Sequence, residues 1–335
     1  MVQNFLIKQY KFLLFGLFTA FFASYGQTFF ISIFNFQIRE VLNFSNAEFG
    51  LLYSLATILS SIILIWFGKL IDKIDLRIYT FIIAIGLALS CFLMTVVDYI
   101  PLIIFIIIFG LRFFGQGAMG HASQTSMARY YEKDRGKALS FGSFGQPIGE
   151  MIFPLLAVFL IHLVNWKFVW FYCGLSLIII FIPLSMILLT DHKVRHRNFL
   201  KLQNNKEKIN SWSRKDVLKD FKFYIYLPSY LMPPFITTGL LFYQIHIANE
   251  KGWSIELVAS SFVFFGAFSI IGMILGGFWV DKVNTRSIIP LYLIPMFFGI
   301  FILTLSNSTV ILYIYMSMIA LTAGLSVPFM GSLWA

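Results

Sequence analysis

Ten stretches of about twenty apolar residues follow one another along this chain, and nothing else in it restricts the fold as strongly. A bilayer's hydrocarbon core, about 30 Å thick, is crossed by about 20 residues of helix at 1.5 Å each. No water is available there for backbone amides and carbonyls, so a crossing segment bonds its own backbone as a helix. The windows fall at about 12–35, 48–68, 78–98, 101–127, 137–161, 167–190, 222–248, 255–280, 287–306 and 308–334. With 59% hydrophobic and 12% charged residues, against about 45–50% and 25% in soluble domains, the expected fold class is an all-α polytopic membrane protein.

The first span follows Lys8 and Lys11, as a secretory signal would. It is longer than a signal's apolar core of about 7–15 residues, and no small-residue cleavage site follows it. The net charge of +10 would suit nucleic acid, but its placement suits a membrane instead. Lys and Arg gather at the N-terminus and in alternate loops: Lys69, Lys73 and Arg77; Arg129, Lys133, Arg135 and Lys137; the run from Lys193 to Lys222; Lys282 and Arg286. Only Arg39, Lys167 and Lys251 occupy the other loops. The positive-inside rule then places the N-terminus and residues 191–221 in the cytoplasm, and a bacterial inner membrane is the expected location. Cys91 and Cys173 fall inside apolar spans and form neither a disulfide framework nor a metal-ligand cluster.

Residues 191–221 hold the longest polar stretch, with Arg195, His196, Arg197, Lys201, Lys206, Lys208, Arg214 and Lys215. It reads as a cytoplasmic linker, either simply solvated or drawn to anionic headgroups. It joins a six-helix bundle over 1–190 to a second bundle over 222–335, in which four of six helices are present. One fixed offset carries Phe44 onto Trp253, Ser45 onto Ser254, Gly68 onto Gly277, Asp72 onto Asp281, Lys73 onto Lys282 and Arg77 onto Arg286. Two similar bundles rocking about a site between them are a recurrent transporter plan. On this reading two helices are missing, and the chain is expected to be truncated after the tenth.

The loop after the second span, Gly68-Lys69-Leu70-Ile71-Asp72-Lys73-Ile74-Asp75-Leu76-Arg77, resembles the Gly-x-Leu-x-Asp-Arg-x-Gly-Arg-Arg signature of the major facilitator superfamily. The loop after the eighth repeats it from Gly277 to Arg286. Asp75 and Asn284 replace the signature's second glycine; both residue types tolerate a left-handed backbone, so a tight turn is expected at each. The fourth span carries Arg112-Phe113-Phe114-Gly115-Gln116-Gly117, similar to the family's Arg-x-x-x-Gly-x-Gly element with the glycines displaced by one place. The fifth carries a Gly- and Pro-rich run from Gly142 to Glu150, a partial match that also suits close helix packing. The resemblance, which extends over the whole chain, implies a major facilitator fold. It also implies a conformational latch at Gly68, Asp72, Lys73 and Arg77 with Gly277, Asp281, Lys282 and Arg286, and a central cavity lined by helices 1, 4, 7 and 10.

Arg112 and Glu150 are the charged residues well inside the spans. Insertion costs about 2.5–3.5 kcal/mol for such a group, so it persists only with a partner or a wet cavity. Each lies about 16 Å from the outer surface at 1.5 Å per residue, so adjacent helices are expected to bring them together. Three roles are open: a permanent ion pair, a proton-coupled switch, or an Arg112 released to hold an anion through a bidentate guanidinium–carboxylate contact. Arg112, Gln116, Met119 and Ser123 share one face of a regular helix, as do Ser24, Thr28, Ser32 and Asn35, with Tyr25 and Gln27 nearby. Thr237, Thr238, Tyr243, Gln244 and His246 mark the seventh span, which Pro228, Pro233 and Pro234 are expected to bend. His121 and His246 are each set either for proton coupling or for a plain interfacial place, and His162 marks an outer helix end.

No catalytic cluster, metal-ligand spacing or phosphate-cradling Gly-x-x-x-x-Gly-Lys loop is present in the sequence. The expected protein is not an enzyme, needs no cofactor, and uses neither ATP nor nucleic acid. Its partners are the lipid bilayer, a small-molecule substrate and a proton or another counter-ion. The expected function is secondary active transport of a small organic anion such as a monocarboxylate, because the charged pair and a likeness to the monocarboxylate-porter and oxalate–formate branches lean that way. Export of amphipathic, drug-like compounds is the runner-up, and a non-transporting sensor on the same fold is a third class.

Overall fold

The computed structural model describes residues 2–99, 103–131, 135–204, 214–282 and 291–333. These residues are helical with short breaks, and no strand occurs among them. The membrane helices are α1, a bent pair of Gln9–Gly26 and Thr28–Leu42 meeting at 41°; α2, Asn46–Asp72; α3, Leu76–Val96; α4, Ile104–Tyr130; α5, Arg135–Leu163; α6, Trp166–Leu188; α7, Phe221–Phe242; α8, Ile255–Val280; α9, Ile294–Leu305; and α10, Thr309–Phe329. Among the described residues eight are long and apolar enough to cross a bilayer, and the bent pair makes a ninth. The described part of the expected ninth span is the shorter helix α9, since residues 283–290 lie outside the described residues.

Two compact units emerge, residues 1–192 with 242–263, and residues 193–241 with 264–335. In the first, α1 carries the interior. Tyr25, Phe30 and Phe34 of α1 pack on Phe153 of α5 and Trp170 of α6, the Phe30–Trp170 pair edge to face and the others tilted, burying large ring areas. Leu51, Leu55, Ile58, Ile62 and Trp66 of α2 are exposed, the composition of a face that meets lipid rather than water. In the second unit α8 and α10 approach through small residues. Gly272 and Gly324 lie against each other, and Ser269 donates to the Ala320 carbonyl at 3.4 Å, the small-residue packing that substitutes for hydrophobic driving force inside lipid.

The internal duplication shows in local structure. Asn43 and Gly252 both take left-handed φ, 54° and 71°, and each ends a helix in the same way. The Phe44 amide donates to the Arg39 carbonyl at 2.9 Å, and the Trp253 amide to the Ala248 carbonyl at 2.8 Å. Next in each copy stands a serine cap. Ser45 exchanges bonds with Glu48 in a full capping box, and Ser254 accepts from the Leu257 amide at 3.3 Å. Capping satisfies helix-end amides that have no partner in the helix itself.

Two expectations on helix continuity are corrected. The first span breaks at Gln27, whose backbone is extended at φ −82°, ψ 152°. The seventh ends at Phe242 and resumes as Gln244–Lys251 after Tyr243. The helix runs unbroken through Pro228, Pro233 and Pro234, the prolines expected to bend it. Neighbouring helices in a membrane tolerate the freed carbonyls of such residues.

Candidate functional site

The break in α1 and an irregular stretch of α4 face each other. Residues Leu111–Met119 widen from α-helical to π-helical bonding, a rare geometry concentrated at functional sites. The element's glycines, one place out of the family spacing, fall within this same stretch. A Cβ on Gly26 would meet the Leu111 carbonyl and, at 2.7 Å, the Gly115 Cα; one on Gly115 would meet the Gly26 Cα at 2.6 Å. Only glycine at both places lets the two backbones approach so closely.

This approach places the Gly26 carbonyl, the last of the first arm of α1, over Arg112. The guanidinium Nη1 donates to it at 3.2 Å and to Thr28 Oγ1 at 3.1 Å, while Nε donates to Thr57 Oγ1 at 3.1 Å. Tyr53 lies under the group, 5.1 Å from ring centre to Cζ, and its hydroxyl donates to Thr28 Oγ1 at 2.8 Å. A carbonyl at a helix C-terminus and an aromatic face both favour a cation. Arg112 is 3% exposed, and every one of these acceptors is neutral.

Glu150 is 4% exposed, and its Oε1 accepts from Gln146 Nε2, one turn away, at 3.0 Å. Arg112 and Glu150 form no ion pair, so the expected pairing is corrected. Matched depth on neighbouring helices did not suffice. The break in α1 supplies Arg112 with a closer carbonyl and the Thr28 hydroxyl, and α2 supplies a second threonine.

The α4 stripe also divides. Gln116 stands in the wide turn with a buried Oε1 that has no hydrogen-bond partner. Met119 and Ser123 are packed inside, Ser123 donating to the Gly16 carbonyl at 2.7 Å. A spacing drawn on 3.6 residues per turn does not survive π-helical bonding. On α1, Thr28 reaches Arg112, Ser32 Oγ accepts from Gln244 Nε2 at 2.7 Å, and Asn35 Oδ1 accepts from Arg39 Nε at 2.7 Å. Tyr25 turns instead to Ser176 Oγ of α6, at 3.0 Å. Gln27 is the residue of the break. Gln244 is 5% exposed and also donates to the Phe29 carbonyl at 3.1 Å, closing the second arm of α1 against Gln244–Lys251. Tyr243 and His246 line a small cleft beside it. Thr237 belongs to the second unit. His121 contacts Thr125 at 3.1 Å and overlies Gly68, while His162 pairs with Glu256 at 2.9 Å.

At the loop motif after α2, Gly68–Asp72 tightens into a 3-10 turn. Asp72 pairs with Arg129 of α4, whose Nη1 also donates to the Ile71 carbonyl at 3.3 Å. Lys73 closes the turn through its amide. Asp75 is corrected from the expected left-handed residue. Its φ is −57°, and it caps α3 by accepting from the Arg77 amide at 2.8 Å, with Arg77 3.5 Å away as ion partner. A capping aspartate needs an extended backbone. In the second copy, a Cβ on Gly277 would meet nothing within 4 Å among the described residues, Asp281 and Lys282 end the helix that began at Ile255, and Arg286 and Asn284 lie outside the described residues.

Sequence reasoning passed over Tyr53, Thr57 and Arg129. Tyr53 and Thr57 stand one turn apart on α2, and that spacing was the available signal. Removing both bonds of Gln244 by Gln244→Ala should accelerate backbone hydrogen exchange over residues 28–34 about tenfold, since each bond contributes about 0.5–1.5 kcal/mol to closure. Unchanged exchange would show that Gln244 does not hold this end shut.

The profile of the Major Facilitator Superfamily matches residues 16–335. A comparison with curated proteins finds no match. Among solved structures, a bacterial homolog to the human lysosomal transporter Spinster, in an inward-facing and occupied conformation, aligns with TM-score 0.63 and 18% identity over 94% of this chain and 72% of that one. A D-xylose-proton symporter aligns with TM-score 0.62 and 15% identity over 96% and 88%. At such identities the likeness concerns the fold. Both are transporters, not enzymes, and together with the profile they establish an integral membrane protein of transporter architecture: the chain belongs to the Major Facilitator Superfamily.

Proposed function

We propose that this protein is a secondary active transporter of a small organic anion, such as a monocarboxylate, working by alternating access with Arg112 as the substrate's cationic partner. The observation that carries the reading is a buried guanidinium surrounded by neutral acceptors alone. A charge kept at this depth costs several kcal/mol unless something offsets it. Carbonyl, hydroxyl and ring dipoles offset part of that cost, and a carboxylate meeting Nη2 would supply the rest through a charge-assisted bond. Glu150, separate from Arg112 and held by one amide, is the group assigned to the coupling proton. The bundles over 1–190 and 222–335, the cytoplasmic linker 191–221 and the latch at Asp72, Lys73 and Arg77 complete the scheme, set in a bacterial inner membrane with the N-terminus inside.

Uptake into proteoliposomes of a panel of radiolabelled carboxylates, with and without a pH gradient, tests the proposal. A short-chain carboxylate should accumulate, and faster with acid on the donor side. Uptake of a neutral sugar or an amphipathic cation, with no carboxylate taken up under either condition, would overturn it.

A further inference from the structure

A second cation lies on the same helix as the Arg112 contacts, nearer the outer surface. Arg39 donates through Nε to Asn35 Oδ1 at 2.7 Å, and Asn35 is itself buried. That bond fixes the guanidinium and leaves Nη1 and Nη2 uncommitted; no carboxylate stands within ion-pair distance of Arg39 among the described residues. Glu48, the nearest acid in the following helix, is occupied with the Ser45 cap. Arg39, Asn35, Asn46, Tyr243, His246 and Asn249 line one cleft, with Phe36, Phe242 and Ile245 as its apolar wall. A fork of two N–H donors flanked by amides, an imidazole and hydrocarbon is the chemistry that receives a small carboxylate with a short carbon tail.

Below the cleft, one turn inward along α1, Gln244 closes the path by donating to Ser32 Oγ and the Phe29 carbonyl. Thr28, the next turn inward, already belongs to Arg112. We infer that the Arg39 cleft is an external recognition site, which captures a small carboxylate before the Gln244 seal opens toward Arg112. The inference rests on the anion reading above and adds a second, outer binding step to it.

Thiol labelling tests the site without relying on transport. Both native cysteines are buried, so an Asn249→Cys variant, or Asn46→Cys if the first folds poorly, carries the reporter. Membrane-impermeant methanethiosulfonates of negative and positive charge are applied from outside. With Arg39 present the anionic reagent should be favoured, and Arg39→Gln should lower the anionic-to-cationic rate ratio about tenfold, the low end of what a charged cleft gives. Acetate and propionate should slow labelling with Arg39 and not with Arg39→Gln. In transport, Arg39→Gln should raise KM for external substrate and leave KM from the inside unchanged, an asymmetry that a general packing defect does not produce. An unchanged rate ratio without protection, or no labelling at either position, would overturn the site. If no carboxylate is transported while ratio and protection hold, the transport reading fails and the site stands. If transport proceeds with KM unaffected on both sides and no protection, the site fails and the transport reading stands.

Discussion

Arg112→Gln should reduce carboxylate uptake by about 100-fold or more while the protein still inserts and purifies as a monodisperse species. Breaking a buried charged contact by removing one partner costs about 3–5 kcal/mol, which is a factor of about 100 or more. The side chain of glutamine can still donate to the Gly26 carbonyl or Thr28 Oγ1, the acceptors that Arg112 Nη1 uses, so folding should be spared. Arg112→Lys retains the charge but not the planar fork, and it should fall between wild type and Arg112→Gln, with the deficit in KM rather than in expression. Undiminished uptake by Arg112→Gln would mean that the guanidinium serves only to pin α1 to α4 and α2.

The second large effect concerns Gly26 and Gly115. Valine at either position drives a side chain into the opposing backbone, because the first atom alone would lie 2.6 to 2.9 Å from the Cα and amide nitrogen it faces. Backbone cannot swing aside as a flexible side chain can, so the cost should exceed the usual 1–3 kcal/mol of core overpacking. Gly26→Val and Gly115→Val should therefore aggregate on extraction into detergent, as read by fluorescence-detected size exclusion. Gly26→Ala should fold in part and lose transport, since spacing the helices apart removes the Gly26 carbonyl from Arg112. Gly120→Ala is the control. A Cβ there meets nothing within 4 Å, and alanine favours a helix over glycine, so that variant should match wild type or exceed it. Normal behaviour of both valine variants would refute the close approach.

Much of this architecture was legible in the sequence, for identifiable reasons. Span length, charge asymmetry and the doubled loop motif depend on bilayer thickness and on local periodicity, which a sequence records directly. The fixed offset between halves reappears as paired left-handed residues and paired serine caps at Asn43–Ser45 and Gly252–Ser254. Arg112 and Glu150 stood out as buried ionisable residues and are indeed buried.

The partners of those two residues were not legible. Their choice depends on a helix break at Gln27 and a widened turn at Leu111–Met119, neither carrying a proline to announce it. Both lie where Gly26 meets Gly115, and a pattern drawn on a regular helix cannot contain them. The same holds for Asp75. The sequence presented it as a substitute for a glycine turn, whereas the residue ends in an extended backbone because it caps α3. Arg129 was visible only as one more basic residue at a span end. Its pairing with Asp72 requires knowing that the inner end of α4 comes back beside the turn after α2.

If the charge on Arg112 is kept for a negatively charged ligand, equilibrium binding of matched ligands reveals it. Purified protein would be titrated with radiolabelled propionate and, separately, with propionamide, which has nearly the same shape and no charge. Saturable binding of the acid, no measurable binding of the amide, and loss of acid binding in Arg112→Gln is the result expected. Equal binding of acid and amide, or acid binding that survives Arg112→Gln, would contradict it.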